Sequence, residues 1–155
     1  MSLEIVREYL KKFNREKDII ELQQSTATVL LAAEALGVKP ERIAKTLSFK
    51  TSGGAIVVVV AGDAKIDNKK FKTTFGVKAK MLSPEEVVDY TNHEIGGVCP
   101  FGITREDVKI YLDESMKRFE TVFPACGSGN SAIELSCKEL EGLCCVESWV
   151  DVCNY

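Results

Sequence analysis

A single histidine, His93, in 155 residues leaves little material for the chemistry that histidine usually carries. A Ser–His or Cys–His pair, or a mixed-ligand zinc site, would have to use that one ring. Six cysteines stand at 99, 126, 137, 144, 145 and 153, yet no two make a Cys-x-x-Cys pair. That spacing signals neither a dithiol redox centre nor a metal knuckle, so no metal and no cofactor is expected. The thiols read as reduced, small apolar side chains, with a reactive Cys99 as the alternative. No apolar run exceeds Ala55–Ala61, far short of a membrane span. Met1-Ser2-Leu3-Glu4 lacks the basic and apolar segments of a signal peptide, which places the expected location in the cytosol. With 45% hydrophobic and 28% charged residues, the chain suits one globular domain, residues 1–155.

Charge is also scarce in one sense and abundant in another. The net value is only −3, but residues 39–80 hold ten Lys/Arg against three Asp/Glu, and residues 81–155 hold five against fourteen. A basic segment of that size permits a nucleic-acid partner. Equally, Lys65, Lys69, Lys70 and Lys72 can simply solvate a surface helix.

Hydrophobic spacing organises the rest. Leu3, Val6, Leu10 and Phe13 recur at helical intervals, and residues 18–22 read as a short strand. Ser25 or Thr26 can cap a helix that turns Val29, Leu30, Ala33 and Leu36 inward and stops at Gly37. One helical turn from Pro40 to Ala44 precedes two strands, 45–51 and 55–61, joined by Ser52-Gly53-Gly54 as a hairpin. The unbroken Ile56–Val60 predicts a central strand covered on both faces. Residues 67–75 read as a basic helix and 78–82 as a short strand, and Ser83-Pro84-Glu85-Glu86 opens a further helix with a capping box. Strand 108–113, a short helix 114–118, a hairpin 121–126/131–135, a helix 137–143 and a strand 146–152 complete the chain. Without a strict βαβ rhythm, the predicted class is α+β: one mixed, strongly curved, barrel-like sheet flanked by helices.

Two stretches carry the chemistry. Gly96-Gly97-Val98-Cys99-Pro100-Phe101-Gly102 is poor helix and poor strand, so it builds a fixed loop with unscreened backbone N–H groups. Such groups can hold a phosphate, a carbonyl or a developing oxyanion. In Ile43-Ala44-Lys45-Thr46-Leu47, apolar neighbours anchor a strand that can hold Lys45 as a fixed cation, with Thr46 able to bond a ligand or a neighbouring strand. A structural turn and a surface lysine are the plainer readings. Asp113 can cap the helix after it or serve the site, and Asn130 can bind or merely turn the chain. Leu30, Leu31 and Phe49 read as core, and His93 as a solvated loop residue with no catalytic task.

Residues 32–38, Arg42-Ile43-Ala44-Lys45-Thr46-Leu47-Ser48-Phe49, Val57–Asp63 and Gly96–Gly102 together resemble the YbaK/ProX family, in order, over about residues 20–152. That family comprises aminoacyl-tRNA deacylases sharing a domain with the editing insertion of bacterial prolyl-tRNA synthetases. The resemblance implies a trans-editing hydrolase that cleaves the ester of a mischarged tRNA, tRNA-Pro carrying cysteine, alanine or another small residue. The family's essential lysine falls on Lys45 and its Gly-x-x-x-Pro loop on Gly96–Pro100, so Gly96, Gly97, Val98, Cys99, Pro100, Phe101 and Gly102 become substrate-binding candidates beside Thr46, Asp113 and Asn130. Asn130 is the polar candidate in the turn where alanine-specific relatives place a histidine, and Cys99 replaces a frequent serine. The implied partners are the tRNA acceptor end, approached by Lys65, Lys69, Lys70 and Lys72, and prolyl-tRNA synthetase, not DNA or a membrane. The alternatives are a non-catalytic tRNA- or synthetase-binding module of the same fold, and a thiol enzyme using Cys99.

Overall fold

A computed structural model describes residues 2–155. Helix α1 (Ser2–Lys11) buries Val6 and Leu10 on one stripe, as the spacing requires. Strand β1 (Ile20–Glu21) is shorter than predicted because residues 16–18 wind into a 3-10 turn. Helix α2 (Val29–Leu36) starts later than expected: Thr28 is the cap, its hydroxyl accepting from Leu31 N at 3.2 Å, and Gly37 ends the helix at φ +69°. The helix packs through Ala32 and Ala33, leaving Leu30 70% exposed and Leu31 exposed as well. Neither leucine is core, whereas Phe49 is.

After a 3-10 turn at Pro40–Arg42, β2 (Ile43–Thr51) and β3 (Gly54–Ala61) form the predicted antiparallel hairpin, with Thr51 opposite Gly54 and Lys45 opposite Val60. Gly54 has no substitute there: a Cβ would lie 1.9 Å from Asp107 O. Every residue of β3 is buried. Strand β4 (Lys65–Ile66) leads to α3 (Asn68–Phe75), capped by Asp67 and ended by Gly76. Although its exposed face is basic, α3 is a core helix. Phe71 stacks on Phe49 at 4.8 Å and on Phe75 at 4.7 Å, and Phe75 meets Tyr111 at 4.9 Å. Residues 78–82 make only one bridge, Phe49 to Met81, along the edge of β2 instead of a strand. Helix α4 (Pro84–Thr91) carries the full capping box of Ser83 and Glu86.

Strand β5 (Val108–Asp113) runs parallel to β3, and a 3-10 turn, Glu114–Arg118, follows it. The predicted hairpin at 121–135 shrinks to β6 (Phe123–Pro124) and β7 (Ser131–Ala132), which join different sheets; Pro124 has no N–H to continue a ladder. Bridges Val122–Leu135 and Ala125–Ala132 keep the two arms together. Helix α5 (Cys137–Leu143) matches its predicted span, and the last predicted strand divides into β8 (Val146–Val150) and β9 (Cys153–Asn154), the latter paired with β4.

The main sheet has the order β6-β2-β3-β5-β8, antiparallel at β2/β3 and parallel elsewhere, and it curls into a half-barrel. One face carries the large core of Val58, Val60, Phe71, Leu112 and Met116 with α1 and α3. The other carries a smaller core of Ala55, Val57 and Ile110 with Val87 of α4. A mixed sheet covered on both sides is the predicted architecture, and the half-barrel's curl brings the start of β2 toward the loops at 26–29 and 95–98.

Candidate active site

The first residues of β2 open into a cavity of about 240 Å³. Lys45 and Thr46 line it on one side, and Gly96 and Val98 on another, although about fifty residues separate the two stretches. The turn before α2 contributes Thr26, Ala27 and Thr28, and Phe123 and Ser131 complete the wall. Most of the lining is small and apolar, with a few hydroxyls and one ammonium.

Lys45 is half-buried, and its Nζ donates to Gly62 O at 3.3 Å. Burial pushes its ammonium below the ordinary lysine value, and the nearby charge of Lys65 pushes the same way; Asp63 opposes them. Asp63 cannot fully neutralise Lys45, because Arg118 grips both of its carboxylate oxygens at 2.6 and 3.0 Å. The result is a positioned cation with unspent attraction for an anion or an ester oxygen. Thr46 adds a second unmet demand. It is 7% exposed, and its Oγ1 has no hydrogen-bond partner among the described residues. An unpaired buried hydroxyl costs about 1–3 kcal/mol, so a partner arriving with a ligand is the natural way to satisfy it.

The glycine loop is pressed into place from two sides. A Cβ on Gly96 (φ +101°) would lie 3.2 Å from the Ala27 Cβ, and one on Gly97 would lie 2.5 Å from the Gly127 carbonyl carbon. Gly127 N donates to Gly97 O at 2.9 Å and Gly97 N donates to Glu94 O at 3.0 Å, so Gly97 holds the loop in place and does not line the cavity, whereas Gly96 and Val98 do.

The loop divides after Val98. Cys99 and Phe101 are fully buried in the large core and Pro100 is buried as well, so none of the three lines the cavity. Gly102 (φ +75°) packs on Ile5 and borders a separate groove beside α1. The alternative reading of Cys99 as a nucleophile meets a plain obstacle: burial pushes its thiol up to about 12. Asp113 is also buried, and both carboxylate oxygens are committed. Oδ2 accepts from Ser115 N and Oδ1 from Val152 N, each at 2.9 Å, so the carboxylate caps the following turn and ties down the C-terminal segment. Asn130 is exposed and holds its turn together, donating to Leu22 O at 2.9 Å and accepting from Ser128 Oγ at 2.9 Å. Neither is a cavity residue.

Of the four candidate lysines, Lys65 is the one whose charge reaches Lys45. Lys69 and Lys72 are exposed on α3, and Lys70 is tied to Asp151 at 3.1 Å and to Cys153 O at 2.9 Å. His93, expected in solvent, is fully buried. Among the described residues there is no cluster of three or more His, Cys, Asp or Glu that could hold a metal ion. Sequence reasoning missed Thr26, Thr28, Phe123 and Ser131. The only signal is the cap-like Ser/Thr run before α2, whose local meaning is helix geometry.

A half-barrel in which β2 brings a half-buried lysine to the same cavity as a glycine loop is the setting of an editing-type domain. The sequence matches the aminoacyl-tRNA editing domain over residues 23–143, and the chain belongs to that family. Among its relatives is the uncharacterized protein YwhH of Bacillus subtilis (strain 168), 58% identical over 155 residues, covering 99% of this chain and 98% of that one. The proline–tRNA ligase of Bacillus cytotoxicus is 30% identical over 114 residues, covering 72% of this chain but only 20% of the ligase. The chain thus spans about a fifth of that enzyme's length. A solved structure of a candidate trans-editing enzyme for prolyl tRNA synthetase superposes with a TM-score of 0.88 at 30% identity, covering 99% of this chain and 98% of the other.

Proposed function

We propose that this protein acts in trans as a deacylase, hydrolysing the ester that joins a wrong amino acid to the 3′-terminal ribose of a tRNA. The observation that carries the reading is the meeting of Lys45, Thr46, Gly96 and Val98 in one cavity of about 240 Å³. An aminoacyl ester is already activated, so the enzyme needs chiefly to fix its position and stabilise charge at the carbonyl oxygen. The backbone amides of Gly96 and Val98 are suited to that oxygen. Lys45 is suited to the terminal phosphate or ribose, which its underused ammonium would hold, and Thr46 Oγ1 to a polar atom of the aminoacyl group. Water, or a nucleophile belonging to the substrate itself, would then attack, and no protein nucleophile is required.

The small apolar wall favours a small side chain, and tRNA-Pro carrying cysteine, alanine or a similar residue is the substrate we favour. Kinship with a proline–tRNA ligase supports that choice of tRNA. Lys65, Lys69 and Lys72 would meet the acceptor backbone without reading sequence. Deacylation of tRNA-Pro charged separately with cysteine, alanine, serine, threonine and proline tests the proposal. Hydrolysis of one or two small mischarged species with prolyl-tRNA spared is the expected outcome. No hydrolysis of any of them, despite binding, would favour a non-catalytic module.

A further inference from the structure

His93 is the one buried ionisable ring among the described residues, and no step above uses it. Its Nε2 lies 2.6 Å from Phe101 O, and a carbonyl can only accept, so Nε2 carries the proton. Nδ1 is then the acceptor, and Ser2 Oγ, at the start of α1, donates to it. Cys99 Sγ sits 3.5 Å from Nε2, but Phe101 O takes that proton's hydrogen bond and burial holds the thiol protonated, so the pair is not a nucleophile and base. Burial also lowers the histidine below its ordinary value, keeping the ring neutral in this arrangement.

The preceding residue makes a parallel contact. Asn92 ends α4 in the left-handed conformation at φ +68°, and its Nδ2 donates to Gly102 O at 3.2 Å. Two consecutive side chains therefore seize two consecutive carbonyls at the far end of the glycine loop, closing residues 94–100 into a ring with Gly96 and Val98 on the cavity side. The approach from helix α4 is fixed too. Thr91 Oγ1 donates to Val87 O at 2.6 Å and accepts from His93 N at 3.2 Å. Within the loop Gly97 bonds Glu94, and from outside Gly127 bonds Gly97.

We propose that His93 is a positioning residue that clamps the glycine loop shut, so that the Gly96–Val98 backbone stays at the cavity opposite Lys45. This rests on the deacylase reading for its catalytic consequence, though not for the clamp itself. His93→Gln keeps an Nε2 donor that reaches Phe101 O, whereas His93→Asn is equally polar but too short. Amide hydrogen exchange at Gly97, read against Val57–Val60 of β3, reports the clamp without any substrate. In His93→Asn the Gly97 amide should exchange faster by about tenfold while the β3 amides hold their rates, and His93→Gln should restore it. On a tRNA that the wild type deacylates, His93→Asn should lose kcat on the order of 10- to 100-fold with KM within about twofold, and His93→Gln should recover it. A merely structural histidine would lower the melting temperature and leave the loop's relative exchange and kcat, measured well below melting, at wild-type values in both variants. That result overturns the proposal. If the wild type deacylates nothing, the hydrolase reading fails, and the exchange comparison alone decides the clamp.

Discussion

Gly97→Ala is the most economical probe of the loop, because the structure fixes both its effect and its control. The added Cβ would lie 2.5 Å from Gly127 C, 2.6 Å from Ser128 N and 2.7 Å from Gly127 O, all backbone atoms that no side-chain rotation can remove. Ordinary contact begins at 3.4 Å, so the two loops must part by roughly 0.9 Å. Overpacking of that kind costs about 1–3 kcal/mol. For a domain of this size that predicts a fall in melting temperature of about 2–12 °C. The same displacement carries Gly96 and Val98 off their positions at the cavity, and a shift near 1 Å at a positioning group costs on the order of 100-fold in rate. Gly53→Ala is the control: nothing lies within 4 Å of its Cβ, so stability and activity should hold or rise slightly. Thermal melting and single-turnover deacylation of both variants read the two effects separately. Wild-type rates in a folded Gly97→Ala protein would refute the claim that this backbone is held for chemistry.

Three further outcomes are expected. Phe71→Ala removes the fully buried ring that links Phe49 to Phe75, and should cost about 3–5 kcal/mol in urea or thermal unfolding. Cys99→Ala should retain deacylation, and under native conditions iodoacetamide should modify the exposed Cys145 well before Cys99, as mass mapping would show. Glu86 is held down to about 2 by the Ser83 backbone N–H first and Lys50 second. A depressed carboxylate stabilises the fold above its ordinary value of 4.5 and loses that contribution as pH falls toward about 2. Glu86→Gln should therefore flatten the acid limb of stability between those values, measured by melting temperature against pH.

The elements with strong local signals were legible in the sequence: the Gly53-Gly54 hairpin, the seamless apolar β3, and the Ser83 capping box. What could not be read was set by partners distant in the chain. Thr28 displaces Ser25 and Thr26 as the cap of α2, and packing through Ala32 and Ala33 leaves Leu30 in solvent. Pro124 and the competing partners β1 and β2 dismantle a hairpin that looked sound locally. The site shows the same division. Glycine content and one flanked lysine pointed to Lys45, Thr46, Gly96 and Val98, which the fold brings to one cavity. Periodicity could not show that the loop turns into the core after Val98, that Asp113 spends both oxygens on backbone N–H groups, or that Ser2 reaches His93, 91 residues away. A lone histidine in a polar loop carries no mark of burial.

The central claim is that Lys45 positions an ester against the Gly96–Val98 backbone. Single-turnover hydrolysis of the preferred mischarged tRNA, by wild type and Lys45→Ala at saturating enzyme, tests it most directly. A loss on the order of 100-fold or more is expected in the mutant with its fold intact, because burial disfavours the Lys45 ammonium and its removal leaves no unpaired buried charge. Hydrolysis by Lys45→Ala at the wild-type rate would contradict it.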